Sequence, residues 1–154
     1  MLTVSQMLQR KGNQVWSVAP TDSVFDALEL MASKDIGAVM VLQGEQLVGI
    51  MSERDYARKV ILRGRLSRDT PVRDIMTTNV IVVRQKRTIE ECMAIMTERR
   101  VRHLPVVEDT PEGGRRVIGV ISIGDVVKAI ISEQQFVIGQ LEEFITGWPQ
   151  NRVA

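Results

Sequence analysis

Two short stretches of the chain place chemically capable side chains at one fixed spacing. They are Gly49-x-x-Ser52-x-x-Asp55 and Gly119-x-x-Ser122-x-x-Asp125. In each, a glycine and two apolar residues lead to a serine, and an aspartate follows three positions later. A carboxylate has two accepting oxygens, which suit two adjacent hydroxyls on one ligand. A helix that opens at the serine adds free N–H groups and a positive dipole end, which suit an anion such as phosphate. The same spacing is also a helix cap that needs no ligand. Taken alone, the four residues leave both readings open, and Ser23-x-x-Asp26 is read as a cap only. The recurrence of the whole pattern points to two related sites at 52–55 and 122–125.

The elements that must position these residues are themselves repeated. Val15, Val18, Val24, Leu28, Met31, Ile36 and Val41 have apolar counterparts 65 residues later, from Val80 to Val106. Repeats of this length mean one supersecondary unit used twice, each half covering the other's apolar face. Each copy reads strand, helix, strand, strand, helix. In the first, Val15–Val18 is a strand and Ser23 opens an amphipathic helix. Ile36–Leu42 is a buried strand, Leu47–Met51 returns after a turn, and a helix runs from Ser52 to about Leu62. In the second, Thr88-x-x-Glu91 is the capping box, Leu104–Val107 and Val117–Ile121 are strands, and a helix starts at Ser122. Val4–Leu8 and Val72–Met76 are matching lead-ins. The expected division is 1–65, 66–132, and a C-terminal helix and tail over 133–154. The expected class is α+β, a mixed α/β chain of two β-α-β-β-α units. Val137, Leu141, Phe144, Ile145 and Trp148 form a stripe that either folds back or meets a second subunit.

Composition narrows the functional classes. The chain has 154 residues, 44% hydrophobic, enough for one core or two half-cores that depend on each other. A net charge of +1 and 4% aromatic residues weigh against nucleic acid, although Arg63, Arg65, Arg68, Arg99, Arg100 and Arg102 could form a basic patch. The apolar runs are too short for a membrane span. Residues 1–12 show no signal-peptide pattern, so a cytoplasmic location is expected. The one cysteine, Cys92, falls on an apolar helix face and reads as a buried small hydrophobe. No nucleophile–base pair, metal-spaced cluster or Gly-rich phosphate loop stands out, so no enzyme is expected.

At Arg102-His103-Leu104-Pro105-Val106-Val107, followed by Gly119–Asp125, the chain resembles a tandem pair of cystathionine-β-synthase (CBS) domains, a Bateman module. The resemblance covers roughly residues 4–132. It implies a regulatory disc with a pseudo-twofold axis and a cleft on each side. It also implies an adenosine-containing ligand: AMP first, with ADP, ATP, NAD(H) or S-adenosylmethionine as alternatives. By the same analogy a homodimer and an unidentified effector protein are expected.

The resemblance gives the residues their expected roles. In the second copy, Asp125 would take the ribose diol and Ser122 would cap. Gly124 lies between them. Val80, Ile81 and Val101 would supply the adenine slot, and Arg102 and His103 the cations for phosphate. In the first copy, Val15, Trp16, Ile36, Gly37 and Ala38 stand in the matching places, with Ser52, Arg54 and Asp55. The second site is the expected home of a mono- or diphosphate, and Gly37 and Ala38 leave the first more room. The competing reading is a dimer scaffold that binds no ligand and meets a protein partner.

Overall fold

The computed structural model describes residues 1–146. Helix α1 (Val4–Lys11) opens on a reciprocal capping box between Thr3 and Gln6. A two-residue strand β1 (Ser17–Val18) precedes α2 (Val24–Lys34), capped by the Ser23 hydroxyl. Strands β2 (Ala38–Gln43) and β3 (Gln46–Ser52) form a hairpin. The chain then turns through α3 (Glu53–Tyr56), which continues as a π-helical turn over Ala57–Ile61. Two 3-10 turns, Ser67–Asp69 and Val72–Asp74, lead into the second copy. There α4 (Ile89–Arg99), β4 (His103–Asp109), β5 (Arg115–Ser122) and α5 (Ile123–Thr146) repeat the order.

The strands form one five-stranded sheet in the order β1-β2-β3-β5-β4. The halves meet at its centre, where Gln46 of β3 pairs with Arg116 of β5. The mixed α/β class and the twofold repetition are as expected, and pairs of equivalent contacts display the pseudo-symmetry. Val18 pairs in parallel with Val41, and Val83 with Val106. Helix α2 ends on Asp35 and α4 on Arg100, both left-handed, at φ 53° and 55°.

The opening strands fall short of expectation. Val15–Val18 shrinks to Ser17–Val18, and Val80–Val83 to the single bridge at Val83. Pro105 explains the second loss. In the first copy the Met40 N–H donates to the Trp16 carbonyl at 3.1 Å. Pro105 takes the place of Met40 and has no N–H for the Ile81 carbonyl. The C-terminal stripe also differs: no break separates it from the helix at Ser122, because α5 is one helix from Ile123 to Thr146. Trp148 lies outside the described residues.

The core exchanges the lead-ins. Leu2, Val4, Met7 and Leu8 are buried with Val83, Ile89, Met96, Leu104 and Ile121 of the second copy. Val72, Ile75 and Met76 join Val24, Met31, Val41 and Met51 of the first. Two motif glycines make room for this crossing. A Cβ on Gly49 would stand 2.6 Å from Met76 Sδ, and one on Gly119 2.6 Å from Leu8 Cδ2. Neither core is complete without the other half's lead-in.

Candidate functional site

The exchange decides which residues share a cleft. A cavity of about 830 Å³ opens between the copies. The first copy contributes Gly37, Ser52, Arg54 and Asp55, together with Glu53, Arg58 and Lys59 from the α3 turn. The second contributes Thr77, Asn79, Val80, Ile81, Val101, Arg102 and His103, and Arg100 at the left-handed end of α4. The expected grouping, copy by copy, is therefore corrected. Val80, Ile81, Val101, Arg102 and His103 line this cavity with Ser52 and Asp55, and Ser122, Gly124 and Asp125 do not line it. A lead-in that crosses to the other half carries the following residues with it, and sequence spacing does not display that crossing.

Asp55 sits at the junction of the halves, with its side chain 12% exposed. Its Oδ2 accepts from the Ser52 N–H and the Ser52 hydroxyl, at 3.0 and 3.1 Å. Its Oδ1 accepts from the Thr77 hydroxyl at 3.1 Å and pairs with Lys59 Nζ at 3.1 Å. The Lys59 ammonium also donates to the Ile75 carbonyl at 2.9 Å. The Ser52 hydroxyl in turn accepts from the Asp55 N–H, so the capping box is complete. Cap and inter-copy tie are one group.

His103 lies beside Gly37 and Glu53: a Cβ on Gly37 would stand 3.4 Å from both His103 Cε1 and Glu53 Oε1. Burial lowers the imidazole pKa below its ordinary 6.5, against the opposing pull of Glu53 and Asp125. Around the cavity Arg54, Arg58, Arg100 and Arg102 are exposed, and none makes an ion pair among the described residues. The structure adds Arg58, Lys59, Arg100, Thr77 and Asn79 to the residues expected at the cleft. Arg58 and Lys59 were within reach of it, four positions past Arg54 and Asp55 on the same helical face.

The other expected residues lie elsewhere. Asp125 Oδ2 accepts from the Ser122 N–H at 2.9 Å and from Lys11 Nζ at 2.6 Å. Burial raises the Asp125 pKa, but the Lys11 and Ser122 bonds outweigh it and hold the carboxyl below its usual range. Gly124 borders open space apart from Ser122 Oγ at 3.7 Å. The Trp16 ring lies under the Lys34 ammonium, 4.2 Å from its centroid. Ala38 is buried in the sheet, Ile36 packs on the first core, and Val15 is half-buried before β1. None of Val15, Trp16, Ile36 or Ala38 lines the cavity. Cys92 is buried in the second core, where burial pushes its thiol up to about 11.

Fold and cleft together define a tandem-repeat module with a cavity lined by both of its halves. The chain belongs to the CBS domain family, whose model matches residues 5–62 and 72–132. A crystal structure of a CBS domain protein, NE2398, is 50% identical, with a TM-score of 0.78 over 84% of this chain and 97% of that one. The mitochondrial CBS domain-containing protein CBSX3 of Arabidopsis thaliana is 39% identical, across 94% of this chain and 72% of the relative. At 24% identity and a TM-score of 0.67, a Pyrobaculum aerophilum CBS protein complexed with AMP shares the fold, covering 80% of this chain and 89% of that one. No helix among the described residues is long and apolar enough to cross a membrane.

Proposed function

We propose that the chain is a regulatory module that binds a phosphorylated adenosine ligand in the Asp55 cleft. AMP is the first choice, with ADP, ATP and NAD(H) next. One observation carries this reading: four arginines that make no ion pair among the described residues line a cavity together with hydroxyls, the Asp55 and Glu53 carboxylates and the apolar Val80, Ile81 and Val101. Arg54, Arg58, Arg100 and Arg102 suit phosphate oxygens. Val80, Ile81 and Val101 suit a flat base, and the Ile81 carbonyl, left without a ladder donor by Pro105, suits an exocyclic amine. A ribose hydroxyl at Asp55 would replace the Thr77 hydroxyl, while Lys59 keeps its bond to the Ile75 carbonyl. The AMP complex of the distant structural neighbour supports the ligand class. S-adenosylmethionine, which offers no phosphate to the arginines, moves down the order.

A regulatory module needs a receiver. The same reading assigns a cytoplasmic homodimer that joins through α5 and acts on an effector protein. The competing scaffold reading is favoured by one fact: protein groups already fill both Asp55 oxygens.

A thermal-shift screen with AMP, ADP, ATP, NAD, NADH, S-adenosylmethionine, adenosine and GMP separates the two. A ligand at about 100 times its dissociation constant stabilises by roughly 2.7 kcal/mol. The nucleotide reading expects a shift with phosphorylated adenine ligands and not with GMP. No shift with any of them would leave the scaffold.

A further inference from the structure

Helix α5 keeps one face along its whole length, but the body covers only the first part of it. Val126, Ile130, Glu133, Val137, Leu141 and Phe144 follow one another in steps of three or four, so they share one side of the helix. Val126 is fully buried in the second core, Ile130 packs against it, and Glu133 accepts from the Leu2 N–H. Beyond that point no described residue buries the face: Val137 is 51% exposed, Leu141 53% and Phe144 85%. Where the helix departs, a cavity of about 670 Å³ lies between it and the lead-in, lined by Met1, Arg10, Ser132, Glu133, Phe136 and Val137. Phe144 stands seven positions past Val137, about 10 Å further along the same side. The free segment therefore has a socket at its base and an apolar tip at its far end.

Charge divides along the same line. Arg10 at the socket is exposed and makes no ion pair among the described residues. Past Lys128 the helix carries Glu133, Glu142 and Glu143 and no lysine or arginine as far as Thr146. Two copies can bury the face in two ways. In a parallel pair the acidic tips lie against each other and Arg10 lies on the side of Arg10, so like charges meet at both ends. In an antiparallel pair each acidic tip meets the other copy's socket, and the exchange closes after two copies. We propose that two copies join with their α5 helices antiparallel, Phe144 and Ile145 of each seated in the socket of the other beside its Arg10. Val137 of one copy then lies across from Phe144 of the other, and Leu141 lies next to the twofold axis. The inference rests on the homodimer reading above and deepens it by assigning which ends meet.

Oxidative cross-linking of cysteine variants of the full chain, with sedimentation of wild type alongside, tests it. The native Cys92 is buried in the second core and stays out of the reaction. Leu141→Cys, beside the axis, should link to itself. Val137→Cys and Phe144→Cys should each remain unlinked alone, and the double variant Val137→Cys/Phe144→Cys should form a covalent dimer. Arg10→Glu, a reversal at an exposed position, should keep the fold and raise the dimer dissociation constant by about tenfold. A wild-type dimer in which Val137→Cys or Phe144→Cys links to itself would be parallel. That result, an unlinked Leu141→Cys or double variant, or an unchanged constant for Arg10→Glu would overturn the inference and leave the homodimer standing. Wild type that sediments only as a monomer would overturn both.

Discussion

Arg102 and His103 are neighbours in sequence with opposite electrostatic behaviour. Arg102 is exposed at the mouth of the cleft, so its removal should cost phosphate recognition and little stability. Arg102→Ala is expected to weaken AMP by about 1.5–3 kcal/mol, the usual worth of a hydrogen bond to a charged group. Adenosine affinity should stay within a factor of two or so, and parallel titrations with AMP and adenosine check the split. His103 is half-buried, and its folded pKa lies below the ordinary 6.5. Below pH 6.5 the unfolded state binds the proton first, so stability falls as pH drops from there toward the folded value. His103→Gln should flatten that part of the profile, as urea melts across pH 5–7.5 would show. The motif aspartates were legible because Ser-x-x-Asp is a local signal, set by one turn of helix. Their cleft partners were not, because Val80, Val101 and Arg102 reach Asp55 only through a crossing that no spacing records.

At the scale of elements, the crossing lead-ins and the motif glycines explain each other. Strands β3 and β5 approach α1 and the 72–76 turn so closely that a methyl group at residue 49 or 119 has no room. The contact at Gly119 is a branched side chain, Leu8 Cδ2 at 2.6 Å and Cδ1 at 3.0 Å. Gly119→Ala should therefore destabilise by about 1–3 kcal/mol, the range for overpacking a filled core. Gly49→Ala should cost more, because the added methyl also meets Met76 Cγ at 2.9 Å and the Thr77 backbone carbonyl at 3.1 Å, which cannot turn aside as a side-chain tip can. Chemical denaturation of both variants gives the comparison, and equal losses would contradict it. Helices and hairpins were readable from caps and periodicity: the Ser23 and Thr88 caps begin α2 and α4 where expected. The opening strands were overread. The continuous apolar run Val80–Val83 marks a partly buried segment, but pairing needs a donor that Pro105 does not have.

At the scale of the whole molecule, α5 is out of balance with the rest. Its first turns are built into the second half, where Val126 is fully buried. Past Glu133, whose carboxylate accepts from the Leu2 N–H at 3.1 Å, the helix leaves the body. Phe136, Val137, Ile138, Leu141, Phe144 and Ile145 are all more than half exposed. Positions 137, 138, 141, 144 and 145 follow the i, i+1, i+4, i+7, i+8 pattern of a single apolar face. A face of that width on an isolated chain gains by meeting a matching one, and a second copy offers the same residues in the same array. The homodimer proposed above would use this face as its seam. Leu141→Asp with Ile145→Asp should convert the dimer to a monomer in sedimentation velocity. The double variant should keep its fold and, because both residues lie far along the chain from the cleft residues 37–103, its AMP affinity. A wild-type chain that sediments only as a monomer would remove the seam, and a double variant that dimerises as tightly as wild type would move it elsewhere. If AMP shifts the monomer–dimer balance of wild type, the route to α5 runs through Ile123, whose N–H donates to the Arg102 carbonyl at 2.8 Å beside the cleft. A phosphate that pulls on Arg102 then acts on the first residue of the dimer helix, and Arg102→Ala should abolish the shift while leaving the dimer itself intact.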